Sequence, residues 1–197
     1  MANEKLTTRK IQADKTRKKI YAVSISFMEK KGYNDTTIEE ICKKAGVSVG
    51  TFYNYFKSKD DIFFDIYKMA DEYFENTVIP KLNESNANAL DKIVIFFKYY
   101  ASYNSKRGLE NISQLYNTKN RFFTIKKRFM QESLNKIIKD GQEANQITIT
   151  TAPDEITDFL FIASRGVVYD WCIHQGKYDL EEKMEHYIKN IVVIFAQ

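Results

Sequence analysis

Two prolines and seven glycines in 197 residues leave little to interrupt a helix, which favours long helices over a turn-rich β architecture. No apolar run reaches the roughly 18 residues that a membrane span requires. Residues 1–19 are polar and lack the apolar centre of a signal peptide, so a soluble, cytoplasmic protein with no membrane partner is expected. Cysteine is represented only by Cys42 and Cys172, far apart and without Cys-x-x-Cys spacing. They read as ordinary helix residues, and no disulfide framework is expected. Histidine is equally sparse: His174 and His186 stand twelve apart with no ligand-spaced carboxylates. The signatures Gly-x-Ser-x-Gly, Walker loop, Gly-x-Gly-x-x-Gly opening a helix, and His-Glu-x-x-His are all missing. Neither catalysis nor a metal or other cofactor is expected.

What the chain does have is charge at one end. The net charge of +4 is modest, but residues 1–67 hold 13 Lys/Arg against 9 Asp/Glu, and residues 68–197 hold 17 of each. Within residues 1–31 the count is 9 against 3. An N-terminal module facing a polyanion, followed by a neutral module with another task, fits that asymmetry. Lys15, Arg17, Lys18 and Lys19 supply a general positive field. Lysine outnumbers arginine 24 to 6.

Apolar periodicity gives an all-α chain of about nine helices. After a frayed stretch at 1–12, a first helix spans 13–31 with Ile20, Val23, Ser24, Phe27 and Met28 on one stripe, and Gly32 ends it. Thr37-Ile38-Glu39-Glu40 is a capping box that opens a short second helix, stopped near Gly46. Ser48 caps a third over 49–55, and Ser58-Lys59-Asp60-Asp61 opens a long fourth that ends near Pro80. Further helices are expected at 89–105, 109–117, 119–143, 153–175 and 181–196, with Gly108 and Asn117-Thr118 as punctuation. Residues 145–152 alternate β-branched side chains but read as a loop, since an isolated strand has no partner. Two domains follow, 1–57 and 58–197.

Two short helices joined by a tight glycine turn make a helix-turn-helix. Ala45-Gly46-Val47-Ser48 places small residues where the helices approach, with Val47 between them. Phe52 and Phe56, four apart, face the core with Ile38 and Ile41, and Thr51, Tyr53 and Asn54 face out. The sequence of residues 37–62, TIEEICKKAGVSVGTFYNYFKSKDDI, closely resembles the N-terminal DNA-binding domain of TetR-family repressors, and the match runs back to about Ala13. The resemblance implies that Tyr53 and Tyr55 donate hydroxyl bonds to DNA phosphate and that Lys59 clamps the backbone beside them. Thr37 and Ser48, as helix caps, are phosphate neighbours. Val49, Gly50 and Thr51 begin the recognition helix and so stand nearest the base edges. Gly50 permits close approach, Val49 and the Thr51 methyl suit thymine methyls, and Asn54 has the amide that reads adenine.

The remainder is neutral and aromatic. Phe96, Tyr99, Tyr100 and Tyr103 recur at i, i+3, i+4 and i+7, and Tyr116, Phe122, Phe123, Phe129, Phe159, Phe161, Tyr169 and Trp171 extend the set. That exceeds what a small core needs, so an apolar ligand pocket is expected, oriented by polar groups such as Arg165, Asp170 and His174. By resemblance to TetR-like proteins the pocket lies among the middle helices and the 153–175 helix. The expected ligand-binding set is Phe96, Tyr100, Tyr103, Phe123, Arg165, Tyr169 and Trp171, and the ligand is a small hydrophobic or aromatic inducer.

The last two helices are apolar on several sides and so are buried on several sides. Phe159, Ala163 and Val167 of one, with Tyr187, Ile191 and Ile194 of the other, are expected at a two-fold homodimer interface. TetR-like proteins dimerise through these helices, which sets two recognition helices about one DNA turn apart. The expected function is a ligand-responsive repressor that holds a palindromic double-stranded operator and is released by its inducer. The alternatives are a helical small-molecule-binding protein without DNA function and an activator of the same fold.

Overall fold

A computed structural model describes residues 8–116, 122–124 and 128–197, and the side chains at 8, 9, 29, 63–67 and 122 stand outside that description. The described residues form ten α-helices and no strand. None of these helices is long and apolar enough to cross a membrane. The chain divides into two compact units, Met1–Ile66 and Tyr67–Gln197. The division falls inside the fourth helix, whereas the sequence placed it ahead of that helix, at 57/58.

In the first unit, α1 (Thr8–Lys31) starts ahead of the expected Ala13. Its buried face is Ile20, Tyr21, Ser24, Ile25 and Met28. Val23 and Phe27 are only half-buried, so the stripe is rotated from the expected one. Ser24 is tolerated inside because its hydroxyl donates to the Ile20 carbonyl at 2.8 Å. Gly32, at φ 90°, ends the helix. Next come α2 (Ile38–Ala45) and α3 (Val49–Tyr55). Between them Gly46 adopts φ 67° and ψ 40°, a left-handed conformation that a side chain disfavours by about 1–2 kcal/mol. Ile41, Ala45, Phe52, Phe56 and Ile62 close this core with Ile20 and Met28. Ile38 and Val47, expected inside, are half-buried.

The fourth expected helix is three segments. α4 (Asp60–Tyr73) passes into a π-helical turn, Phe74–Val78, and then α5 (Ile79–Glu84). The helical backbone therefore continues past Pro80, where the sequence placed its end. Proline lacks an N–H and its ring collides with the carbonyl four residues back. The wide turn just ahead of it, in which the Ile79 N–H reaches back to Phe74, opens the room that Pro80 needs. This split accounts for ten helices rather than nine.

The second unit is built on α6 (Ala89–Lys106), which presents Ile93, Val94, Phe96, Phe97, Tyr100 and Ala101 to the interior. It packs along α10 (Leu180–Val192) and is crossed by α8 (Phe129–Glu143) and α9 (Pro153–Ile173). A short α7 (Leu109–Leu115) lies against α9. The expected helix over 119–143 is shorter. Residues Phe122–Thr124 form a 3-10 turn, Arg128 is extended at ψ 152°, and α8 starts at Phe129. The expected break at Asn117-Thr118 lies outside the described residues. α4 is fastened here by Asp71, whose carboxylate accepts from Arg128 Nε at 3.0 Å and from the Met130 N–H at 3.2 Å.

Residues 145–152 do find a partner. Ile147 forms an antiparallel bridge with Ala196, and the Thr148 N–H donates to the Phe195 carbonyl at 2.8 Å. The side chain of Gln142 fixes the same loop by donating to the Thr148 and Thr151 carbonyls at 2.7 and 2.9 Å. Ile147 is fully buried and reaches Gly141 of α8, where a Cβ would stand 2.5 Å from the Ala89 Cβ and 2.7 Å from Ile147 Cδ1.

Gly141→Ala is expected to destabilise the protein although alanine is the better helix former. The propensity gain of about 1 kcal/mol is outweighed by overpacking of about 1–3 kcal/mol, because the Ala89 Cβ cannot move without its backbone. Calorimetry should show a melting temperature lower by about 2–4 °C for each 1 kcal/mol of net loss.

Candidate nucleic-acid interface and aromatic site

α3 has seven residues, too few to hold a helix in water without help. Help comes from both ends and one face. Ser48 caps it, its Oγ accepting from the Thr51 N–H at 3.0 Å and sharing a 2.8 Å bond with the Thr51 hydroxyl. Phe52 and Phe56 are buried with ring centroids 5.6 Å apart, and Arg17 stacks its guanidinium 5.1 Å from the Phe56 ring. Once Phe52 is driven inward, Val49, Gly50, Tyr53 and Asn54 have only the outside left, and all four are exposed. Tyr53 is 51% exposed, high for a side chain of its size in a packed module.

The other expected contacts sit differently. Thr51 and Tyr55 are half-buried. Tyr55 lies two positions from Tyr53, hence about 200° around the helix, so the two tyrosines do not share a face. Thr37 is exposed as the cap of α2 with its polar atoms engaged: the Glu40 N–H donates to its Oγ1 at 3.2 Å, and its own N–H and hydroxyl each lie 3.0 Å from Glu40 Oε2. Lys59 is half-buried, its ammonium donating to the Tyr33 and Thr36 carbonyls. The link that receives it carries no motif visible in the sequence.

The aromatic residues form a continuous cluster in the second unit. Phe74 and Phe96 are 4.7 Å apart, Phe96 and Phe97 5.3 Å, and Phe161 of α9 meets Phe97 at 5.5 Å. At its edge the Tyr100 and Tyr116 hydroxyls share a 2.8 Å bond, Phe123 lies 4.8 Å from Tyr116, and the Arg165 guanidinium covers Phe123 at 5.3 Å. Tyr103 stacks on Tyr73 at 5.5 Å and accepts from Arg107 Nη2 at 3.1 Å. Burial pushes the Tyr100 hydroxyl up, against the opposing pull of Tyr116, Arg165 and Arg128. Burial likewise raises Tyr103, against Arg107 and Arg128. Three of the chain's six arginines thus act on one tyrosine pair. Arg107 and Arg128 were missed in the sequence, where arginine scarcity was the available signal.

Two expected pocket residues lie elsewhere. Tyr169 is 52% exposed, one turn beyond Arg165 on α9. Trp171 is buried against the α9–α10 link, its indole N–H donating to the Tyr178 carbonyl at 3.1 Å and its ring 3.3 Å from where a Gly176 Cβ would stand. Asp170 and His174 are likewise at the surface, with Asp170 accepting from the Tyr178 hydroxyl at 2.7 Å.

α9 has a second apolar face. Phe159, Ile162, Gly166, Tyr169 and Ile173 follow a 3-4-3-4 spacing and are all exposed, Ile162 at 62%. On α10 and the turn after it, Tyr187, Val193 and Ile194 are exposed and Ile191 is half-exposed. Of the residues expected there, Ala163 is half-buried at the margin, and Val167 is buried inside its own chain on the Leu160–Val168 side of the helix. Ile162, Gly166 and Ile173 stand on the exposed face instead. The signal was the heptad spacing, obscured because α9 is apolar all round.

Residues 20–66 match the family described as bacterial regulatory proteins, tetR family. Among similar proteins is the fatty acid metabolism regulator protein of Bacillus subtilis, 24% identical over 168 residues that span 82% of this chain and 86% of the relative. Another is the Staphylococcus aureus negative transcriptional regulator of the biofilm operon, IcaR, 26% identical over 74% of this chain and 80% of its own. The fold is shared with Thermus thermophilus FadR, a TetR-family repressor solved with lauroyl-CoA, at a TM-score of 0.70 and 18% identity over 90% of this chain and 93% of that one. It is shared also with Bacillus subtilis FadR solved with stearoyl-CoA, at a TM-score of 0.66 and 20% identity over 89% and 97%.

The cap at α2 titrates in acid. Lys31 at 2.6 Å, assisted by the Thr37 N–H and hydroxyl, holds the Glu40 carboxyl down at about 2, against an ordinary value of 4.5. A carboxylate depressed on folding stabilises above its unfolded value and loses that contribution as pH falls through its folded one. Between pH 4.5 and 2, Glu40→Gln should therefore flatten the fall in melting temperature, and carbon NMR should show Glu40 ionised at pH 3.

Proposed function

We propose that the chain, whose residues 20–66 match the tetR family of bacterial regulatory proteins, is a DNA-binding, ligand-released repressor that grips its operator as a homodimer. The observation that carries the DNA reading is the exposed face of α3, with Tyr53 and Asn54 beside Val49 and Gly50, held outward by the burial of Phe52. Tyr53 serves phosphate, while Val49, Gly50 and Asn54 meet base edges in the major groove. Ser48 and Thr51 support the start of that helix, Thr37 and Tyr55 flank it, and the basic N-terminal unit supplies the field that attracts DNA.

The dimer reading rests on the exposed seam of α9 and α10. Phe159, Ile162, Tyr169 and Ile173, with Tyr187 and Ile194, are large apolar side chains left exposed, the kind of surface that marks a protein–protein contact. Gly166 in the middle lets two copies of α9 approach closely, since nothing lies within 4 Å of where its Cβ would be. A self-complementary contact of this kind gives a two-fold pair, matched by a palindromic site.

The inducer reading rests on the aromatic cluster. Its apolar interior of Phe96, Phe97 and Phe161 suits an acyl or aromatic body. Arg165 at its edge meets no carboxylate among the described residues and suits an anionic head. The acyl-CoA bound by two FadR proteins of the same fold has both parts. Ligand and operator then weaken each other by the same factor. Its place of action is the bacterial chromosome, in the cytoplasm.

The DNA reading is tested with duplexes selected by the protein from a random pool. Tyr53→Ala is expected to lower affinity by about tenfold or more with helix content unchanged. Ile162→Glu is expected to halve the mass in solution and to abolish tight binding to a palindrome. A wild-type protein that retains no duplex at low salt overturns the reading.

The ligand reading is tested by titrating lauroyl-CoA with and without the selected duplex. The expected result is release of DNA and a weaker ligand affinity in its presence, with Arg165→Gln reducing ligand affinity about tenfold. Equal ligand affinities in both titrations exclude the coupling.

A further inference from the structure

Residues 38–55, the two helices of the DNA-binding motif, are entered through the link at 33–37 and left through residues 56–59. The entry and the exit are joined by one side chain. Lys59 Nζ donates to the Tyr33 carbonyl at 2.7 Å and to the Thr36 carbonyl at 2.6 Å, and it lies 4.3 Å from the centroid of the Tyr33 ring. The neighbouring Asp60 completes the tie, accepting from the Tyr33 hydroxyl at 2.5 Å.

The link is shaped to receive a cation. Gly32 turns the chain at φ 90°, the Thr36 N–H closes on the Tyr33 carbonyl at 3.3 Å, and Thr36 is fully buried with its hydroxyl on the Gly32 carbonyl at 2.7 Å. The Tyr33 carbonyl keeps a second lone pair beyond the one facing the Thr36 N–H, and the Thr36 carbonyl lies ahead of the α2 ladder, so the ammonium gives each a donor. An ammonium spending two of its three protons here, with an aromatic face beneath it, is poorly placed to act as a free phosphate clamp.

We infer that Lys59 is a positioning residue that closes the helix-turn-helix end to end, and that it sets the presentation of α3 rather than neutralising a phosphate. The inference rests on the DNA-binding reading for its consequence and on the link geometry for its cause. Opening the tie frees the entry to α2 from the exit of α3. The α3 face then meets DNA in a broader set of orientations, and the fixed orientation no longer favours binding.

Two measurements separate the roles. In the protein without DNA, hydrogen exchange across residues 33–41 should rise in Lys59→Met, and unchanged protection overturns the tie. On a duplex selected by the wild-type protein, Lys59→Met should bind about tenfold more weakly with the same slope of log K against log salt. A phosphate clamp predicts instead a slope smaller by about 0.9, and that result overturns the inference. Tyr33→Phe removes the hydroxyl without changing charge, and it carries the test if Lys59→Met fails to fold. A slope-neutral loss of affinity is expected from it, and wild-type affinity counts against the tie. Absence of any duplex complex with wild-type protein defeats the DNA-binding reading and leaves the exchange result to judge the tie.

Discussion

Everything at the N-terminal end depends on burying Phe52 and Phe56. A seven-residue helix is not stable alone, and two phenylalanine side chains removed from water contribute about 1.5–3 kcal/mol each, enough to fix it to α1 and α2. The same burial decides what α3 displays, because a helix anchored by one face has no choice about which residues the opposite face carries. Tyr53 is outside because Phe52 is inside. The caps at Thr37 and Ser48 and the left-handed Gly46 refine the geometry, but they act on helices whose direction the aromatic pair has already set.

The second unit applies that logic at larger scale with a different outcome. α9 must satisfy its own core through Leu160, Phe161, Ser164 and Val168, and it still carries a row of large apolar side chains on the far side. Inner packing is complete without that row, so the row is available to another surface. Beside it, Arg165 covers Phe123 next to the bonded Tyr100 and Tyr116 hydroxyls, leaving a polar margin on an apolar cluster. One helix thus borders both the aromatic cluster and the seam.

Much of this was legible in the residues. The helix-turn-helix has punctuation with local causes: a capping box, a serine cap and a glycine at positive φ. Such short-range chemistry reads directly from sequence, and α2 and α3 lie where it puts them. Periodicity was weaker where a helix is apolar all round. On α9 it could not separate Val167, which faces inward, from Ile162, which faces out, because both lie in apolar surroundings along the chain. Long-range pairings were not legible at all. The partner of residues 145–152 is the chain's far end, 49 positions away at the Ile147–Ala196 bridge. Trp171 belongs to the expected pocket set, whereas its actual neighbours, Gly176 and Tyr178, follow from a link conformation that no spacing rule encodes. Lys59 was assigned from resemblance alone, which speaks to what lies outside the protein and not to the carbonyls within reach.

The wide turn at Phe74–Val78 has a geometric consequence of its own. An α-helix advances about 100° per residue, so one residue more or fewer in a continuous helix rotates everything beyond it by that amount. By holding five residues in a π arrangement, the chain fixes the rotational phase between α4 and α5. Substitutions that merely change side chains cannot reset that phase. Nor does loss of a single residue from the turn, which closes it to regular α-helix and leaves Asp71 with Arg128 and Tyr73 with Tyr103, so this is a place where the chain can absorb a change of length.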